Sequence, residues 1–136
     1  MLRRARRGVV NAEIRPSTIA PPAANYAHAV LVDHPGQWLH TSGVVPVAPD
    51  GTVPEGIEAQ AAVVWANIAA ILATVGMGAT DIVSVTTYVV AGEPLAPVMA
   101  ARDAFMAGHR AASTLVTVPE LARESWRVEI SVVAAR

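Results

Sequence analysis

Hydrophobic positions change their period several times along the chain, and each change marks an element. From Tyr26 to Val32 and from Trp38 to Val45 apolar residues form short strand-like runs, separated by Asp33-His34-Pro35-Gly36. Pro and Gly supply reversing dihedrals there, so the pair predicts a β-hairpin. Pro46 to Gly56 carries the turn signals Pro49-Asp50-Gly51 and Pro54-Glu55-Gly56. Beyond them Ile57, Ala61, Val64, Ile68, Ile71, Leu72 and Val75 recur at three- and four-residue steps, an amphipathic helix closed by Gly76 and Gly78. Ile82 to Val90, rich in Val and Thr, predicts a buried strand. Helical spacing returns through Leu95, Val98, Met99, Arg102, Phe105 and Met106 and stops at Gly108. Two strands follow, Ser113 to Val118 and Trp126 to Ala134, around a Pro119-Glu120 turn and a short Leu121 to Ser125 segment. With a first strand near the N-terminus, this order predicts an α+β fold: a mixed sheet of about six strands with two helices on one face.

The 136 residues suffice for one domain, expected over residues 17–136, preceded by a basic segment with the first strand over residues 1–16. Cysteine is absent and all ten cationic residues are arginine, which excludes thiolate chemistry, Cys-based metal sites, a Schiff-base lysine and a P-loop lysine. A net charge of −1 argues against a nucleic-acid footprint. Charged residues are only 15% of the chain and hydrophobic ones 53%, so a folded monomer leaves apolar surface over, and oligomerisation is the usual way to cover it. The apolar content is scattered, and its richest stretch, Ala59 to Val75, contains Gln60, Trp65 and Asn67, which argues against a membrane span. The start, Leu2 to Arg7, has the charge of a signal n-region but Val9-Val10 leads straight into Asn11, Glu13 and Arg15. It is read as a frayed cationic end of a cytoplasmic protein.

Few residues carry candidate chemistry. Val128, Ile130 and Val132 share one strand face, which puts Arg127, Glu129 and Ser131 on the other. Glu129 is either a solvated carboxylate or a site residue in an otherwise apolar strand. Ser42-Gly43 sits inside a strand, where Gly marks a bulge or a close approach; the serine lacks a nucleophile-elbow context. His28, His34, His40 and His109 show no metal-ligand spacing, so no metal is expected. Tyr26 either walls a pocket or simply packs, and Trp38, Trp65 and Trp126 are too dispersed for a base-stacking platform.

Taken in order, these segments resemble the RidA/YjgF family, the reactive-intermediate deaminases. The resemblance rests on Ile19-Ala20-Pro21-Pro22 with Tyr26-Ala27-His28-Ala29-Val30; Leu39-His40-Thr41-Ser42-Gly43; Gln60 with Asn67; Gly76 and Asp81 to Thr86; Ser113 to Leu121; and Val128-Glu129-Ile130. It implies a fold similar to trimeric chorismate mutase, a homotrimer with clefts between subunits, and hydrolysis of small enamines and imines without metal or organic cofactor. Glu129 matches the glutamate that positions the attacking water. Ser42 and Gly43 match the cleft strand, and Tyr26 its aromatic wall.

Two departures from the family pattern bear on substrate. Deaminase members carry Pro-Ala-Arg-Ser before the fifth strand; this chain reads Ala111-Ala112-Ser113-Thr114, with Ser113 taken in place of the carboxylate-binding arginine and Thr114 beside it. Met99 stands for a usual asparagine of the second helix. Arg110, three residues before Ser113, and Arg127, beside Glu129, are the candidate substitutes, and a Glu129–Arg127 pair is equally readable as structural. Two functions follow: an imine hydrolase of altered specificity, or a cleft reused for another reaction on, or for binding of, a small metabolite. A ribonuclease role, known among relatives, finds only the arginine-rich start to support it.

Overall fold

The computed structural model of the protein describes residues 10–136, so the arginine-rich start falls outside them. Six strands and two helices follow the expected order: β1 (Asn11–Ile14), β2 (Ala29–Val32), β3 (Trp38–His40), α1 (Ile57–Thr74), β4 (Ile82–Val90), α2 (Ala96–Met106), β5 (Ala112–Val118) and β6 (Val128–Ala135). Four strands form a mixed sheet ordered β3-β6-β4-β5, while β1 and β2 form a separate antiparallel ribbon. The parallel pair β4-β5 is joined through α2, as a parallel connection requires a crossover.

The expected hairpin between residues 26–32 and 38–45 does not form. β2 pairs with β1, and β3 pairs with β6. The connection spends its amides elsewhere: Gly36 and Gln37 both donate to the Arg136 carbonyl at 2.9 Å, and Asp33 donates to Val10 O. The ribbon is anchored at the end of the sheet where β6 finishes and β4 and β5 begin. Asn11 Nδ2 reaches Ala135 O at 2.8 Å, and Ala27 N reaches Ala111 O at 2.9 Å.

Register assigns the two faces of the four-stranded sheet. Val128, Ile130 and Val132 stand beside Val89, Thr87 and Val85, which in turn stand beside Thr117, Leu115 and Ser113. This face meets the helices: Val64, Trp65, Ile68 and Leu72 of α1 and Val98 and Met106 of α2 pack into one cluster with its valines and isoleucines. Trp65 stacks on Phe105 between the two helices, ring centroids 4.7 Å apart. By length and apolarity (mean hydropathy 1.5) α1 could cross a membrane, but the residues it buries are those that pack on the sheet. α2 begins with Pro97 in its first turn and ends on Ala107 in the left-handed region at φ 47°, followed by Gly108. On the opposite face lie Glu129, Ser131 and Val133 of β6, Tyr88, Thr86 and Ser84 of β4, Val116, Thr114 and Ala112 of β5, and Trp38 and His40 of β3. No described helix covers this face.

Candidate functional site

The carboxylate of Glu129 stands on the helix-free face, beside Tyr88. β3 ends at His40, but the chain stays against β6: Thr41 N donates to Val132 O at 3.0 Å, and Val44 and Ile130 exchange two hydrogen bonds at 2.7 and 3.0 Å. Ser42 and Gly43 together oppose the single residue Ser131, so the strand bulges there. The bulge brings Gly43 against Glu129. A Cβ at Gly43 would lie 2.6 Å from the Glu129 carboxyl carbon and 3.0 Å from its Cγ, inside contact distance. Gly43 has no left-handed φ, so close approach alone demands glycine. Glu129 is half-buried, and its carboxylate makes no hydrogen bond to a described residue. Ser42 is exposed beside it. The sequence singled out Glu129, Ser42 and Gly43 separately; the bulge unites them.

Arg127 does not join that cluster. Its backbone N–H donates to Gln60 Oε1 at 2.8 Å and its Nε lies 2.8 Å from Glu93 Oε1, so its charge is taken up by Glu93 rather than Glu129. Ser113 also lies elsewhere. Its register partner Val85 faces the helices, and Arg102 Nη1 of α2 makes a long hydrogen bond, 3.5 Å, to Ser113 Oγ. The position of β5 that shares the Glu129 face before Thr114 is Ala112, paired with Ser84. A one-residue offset on a strand exchanges faces, so Ala112, not Ser113, occupies the place from which a β5 arginine would look toward the Glu129 side. Thr114 is on that face and exposed, whereas Met99 is half-buried on α2, on the helix side of the sheet.

A second polar cluster gathers where the ribbon meets β5. Arg110 Nε and Nη2 both donate to the Tyr26 carbonyl, at 3.2 and 2.5 Å, and Nε lies 3.4 Å from Glu13 Oε1. Arg15 Nη2 reaches the other Glu13 oxygen at 2.7 Å. That hydrogen bond from Arg15 holds the Glu13 carboxyl below its usual range; desolvation opposes it, and the charges of Arg110, Arg15 and His109 add to it. His109 donates from Nε2 to Ile82 O at 2.8 Å. Asn11, Glu13, Arg15, Val30, Gly108, His109 and Arg110 line an open cavity of about 280 Å³. The Tyr26 ring meets His28 edge-on, and its hydroxyl accepts from Ala23 N at 3.2 Å.

The helical spacing includes Arg102 but assigns it no role; it is 7% exposed. Its Nε donates to Asp103 Oδ1 at 3.0 Å; its Nη2 is equally near that oxygen but unaligned for a hydrogen bond. Asp103 in turn accepts from Asn25, which ties the Tyr26 segment to α2. The signal was present: Arg102 occupies the apolar stripe of its helix, between Val98 and Met106.

This fold has counterparts among known proteins. The pattern of the family described as endoribonuclease L-PSP matches residues 17–136. The 2-iminobutanoate/2-iminopropanoate deaminase of Escherichia coli K12 is 35% identical over 104 residues, 74% of this chain and 81% of that one. The Rid-family protein YyfB of Yersinia pestis superposes with a TM-score of 0.85 at 30% identity, covering 94% of this chain and all (100%) of that one. Escherichia coli TdcF with bound serine gives a TM-score of 0.69 at 27% identity, over 89% of this chain and 92% of that one. The chain belongs to the RidA/YjgF family, the L-PSP group, and has its chorismate mutase-like α+β fold.

Proposed function

We propose that the protein hydrolyses small enamine or imine intermediates: water adds to the C=N carbon, the C–N bond breaks, and ammonia leaves a carbonyl product. The observation that carries this reading is the Glu129 carboxylate, held against Gly43 with both oxygens unengaged by described residues, in a chain 35% identical to an imine deaminase. Such a carboxylate can orient a water and take its proton during attack, returning it to the departing nitrogen. No metal or organic cofactor enters the step. The protein acts in the cytoplasm as a homotrimer, with the substrate bound in clefts between subunits.

Substrate choice is altered relative to the deaminases, because β5 presents Ala112 and Thr114 on the Glu129 face and Arg127 is neutralised by Glu93. The same observation supports the second reading, in which the cleft serves another reaction on a small metabolite or only binds one. Ammonia release separates the two. A panel of imines generated in situ, with and without a carboxylate, is offered to the parent and to Glu129→Gln. Turnover by the parent that collapses in Glu129→Gln sustains the hydrolase, and silence on every member of the panel removes it.

A further inference from the structure

We propose that Thr41 is a positioning residue for Glu129: its hydroxyl oxygen holds the bulge that turns Gly43 onto the carboxylate. This deepens the hydrolase reading and rests on it for the effect on rate, though not for the geometry.

The two residues of a hydrogen-bonded antiparallel pair normally exchange both backbone N–H to C=O bonds. Along β6 that exchange is complete on either side of Thr41. Gln37 and Arg136 exchange bonds at 2.9 and 3.1 Å, and Val44 and Ile130 at 2.7 and 3.0 Å. Thr41 and Val132 do not. Thr41 N donates to Val132 O at 3.0 Å, but the return bond runs from Val132 N to the Thr41 hydroxyl oxygen at 2.9 Å. The Thr41 carbonyl accepts from no described residue, so it is released from the ladder. Val132 is buried, and stranding its N–H would be costly. The hydroxyl takes that N–H in place of the carbonyl, which lets the chain turn without the penalty.

The turn decides which residue meets Glu129. In an unbroken ladder Thr41 opposite Val132 would set Ser42 opposite Ser131, Gly43 opposite Ile130 and Val44 opposite Glu129. Paired residues share a face, so Val44 would stand over the carboxylate and Gly43 would leave a gap in the core beside Ile130. One extra residue admitted after Thr41 exchanges these faces. Val44 pairs with Ile130 and is buried, while Gly43 comes so close to Glu129 that the carboxylate fills the space a Cβ would need. Thr41 acts on Glu129 through the backbone alone, since its oxygen is bonded to Val132, three residues further along β6. Ser42 is no substitute: it is exposed, and its hydroxyl makes no hydrogen bond to a described residue.

The test uses the full-length protein. In the parent, NMR should show a cross-peak between Gly43 Hα and Glu129 Hγ. Through-hydrogen-bond coupling should run from Ile130 N to the Val44 carbonyl carbon but not from Val132 N to that of Thr41. Thr41→Val keeps the shape and removes the acceptor; it and Thr41→Ala should lose the cross-peak, whereas Thr41→Ser should keep it. On imine substrates the first two should lower kcat by on the order of tenfold or more with KM unchanged, and Thr41→Ser should restore most of the rate. A merely destabilising change would not divide kcat from KM in this way or be rescued by serine. Coupling from Val132 N to the Thr41 carbonyl carbon in the parent, or no Gly43–Glu129 cross-peak there, overturns the proposal even if Thr41→Val and Thr41→Ala fail to fold. An undiminished kcat in a folded Thr41→Val protein overturns it and leaves the hydrolase reading standing. A parent with the expected couplings and cross-peak that releases no ammonia from any imine removes the hydrolase reading and leaves the placement of Glu129 by Thr41 in force.

Discussion

Gly43→Ala puts one methyl group where the Glu129 carboxylate now lies, and it separates positioning from folding. The new Cβ would be 2.6 Å from the carboxyl carbon, and carbon atoms pack comfortably at about 3.5–4.0 Å, so the carboxylate must retreat by about 1 Å. A misplacement of that size costs on the order of 10²-fold in rate when the group must meet a reacting atom. The cost in stability is far smaller. Turning Glu129 off its preferred rotamer takes about 1 kcal/mol, and the loss of glycine freedom in the unfolded chain returns ~0.4–1 kcal/mol, so Tm should move by only a few degrees. The assay is kcat/KM for ammonia release together with a thermal melt, each repeated in a Glu129→Ala background. There the clash is gone, and Gly43→Ala should stabilise. Equal Tm changes in both backgrounds, or an unimpaired Gly43→Ala enzyme, would show that the carboxylate does not rest on this glycine.

Three further outcomes are expected. Gln60 is 2% exposed and spends its amide on Pro54 O, Ser125 O and Arg127 N at 2.8 to 2.9 Å, so Gln60→Leu strands three backbone groups. The loss should be about 3 kcal/mol, read as a fall in the urea midpoint; an unchanged midpoint contradicts the buried network. Ser113→Arg places a second guanidinium against buried Arg102 and should lower Tm without conferring activity on carboxylate-bearing imines, whereas Ala112→Arg should fold and increase preference for them; the reverse ranking would refute the register. Glu13 has a folded pKa below its usual 4.5, so its contribution to stability is present above that value and disappears as pH falls through the lowered one. Urea melts between pH 3 and 7 should therefore show Glu13→Gln less stable than the parent near neutrality and the gap closing in acid, and a gap that persists at the lowest pH would count against the ion pair.

Elements built on strong periodicity were legible in the sequence. The span Ile82–Val90 is that of β4, and α1 and α2 differ from expectation only at their ends, because Val/Thr runs and three-four spacing report local burial directly. Pairing was less legible. Asp33 to Gly36 looks like a hairpin turn, but the competing acceptor, the Arg136 carbonyl, is a hundred residues away in sequence, and no local pattern reveals it. At the site, alternation in β6 placed Glu129 opposite the core, and Gly43 announced a close approach without naming its partner. Arg127 illustrates the limit: sharing a strand with Glu129 suggested a pair, and Glu93, from the turn after β4, won by reach. Ser113 falls on the helix face of the sheet, since chemical similarity at a strand start does not say which face a residue takes.

Part of the exposed apolar surface lies on the same sheet face as the candidate site. Helices cover one face of the four-stranded sheet, and the other leaves Trp38 at 51% and Val116 at 40% exposure, in line with Thr86, Thr114 and Tyr88. Glu129 stands in the same array. A carboxylate on an open, wet face gains little over bulk water as a base, because solvent screens it and competes for its proton. Covering the face with further copies of the chain would bury the exposed tryptophan and valine and exclude most water from around Glu129. Burial of the apolar surface and completion of the site are then one event, so substitutions such as Val116→Asp should abolish assembly and activity together, and a monomeric variant that kept full ammonia release would break the connection between them.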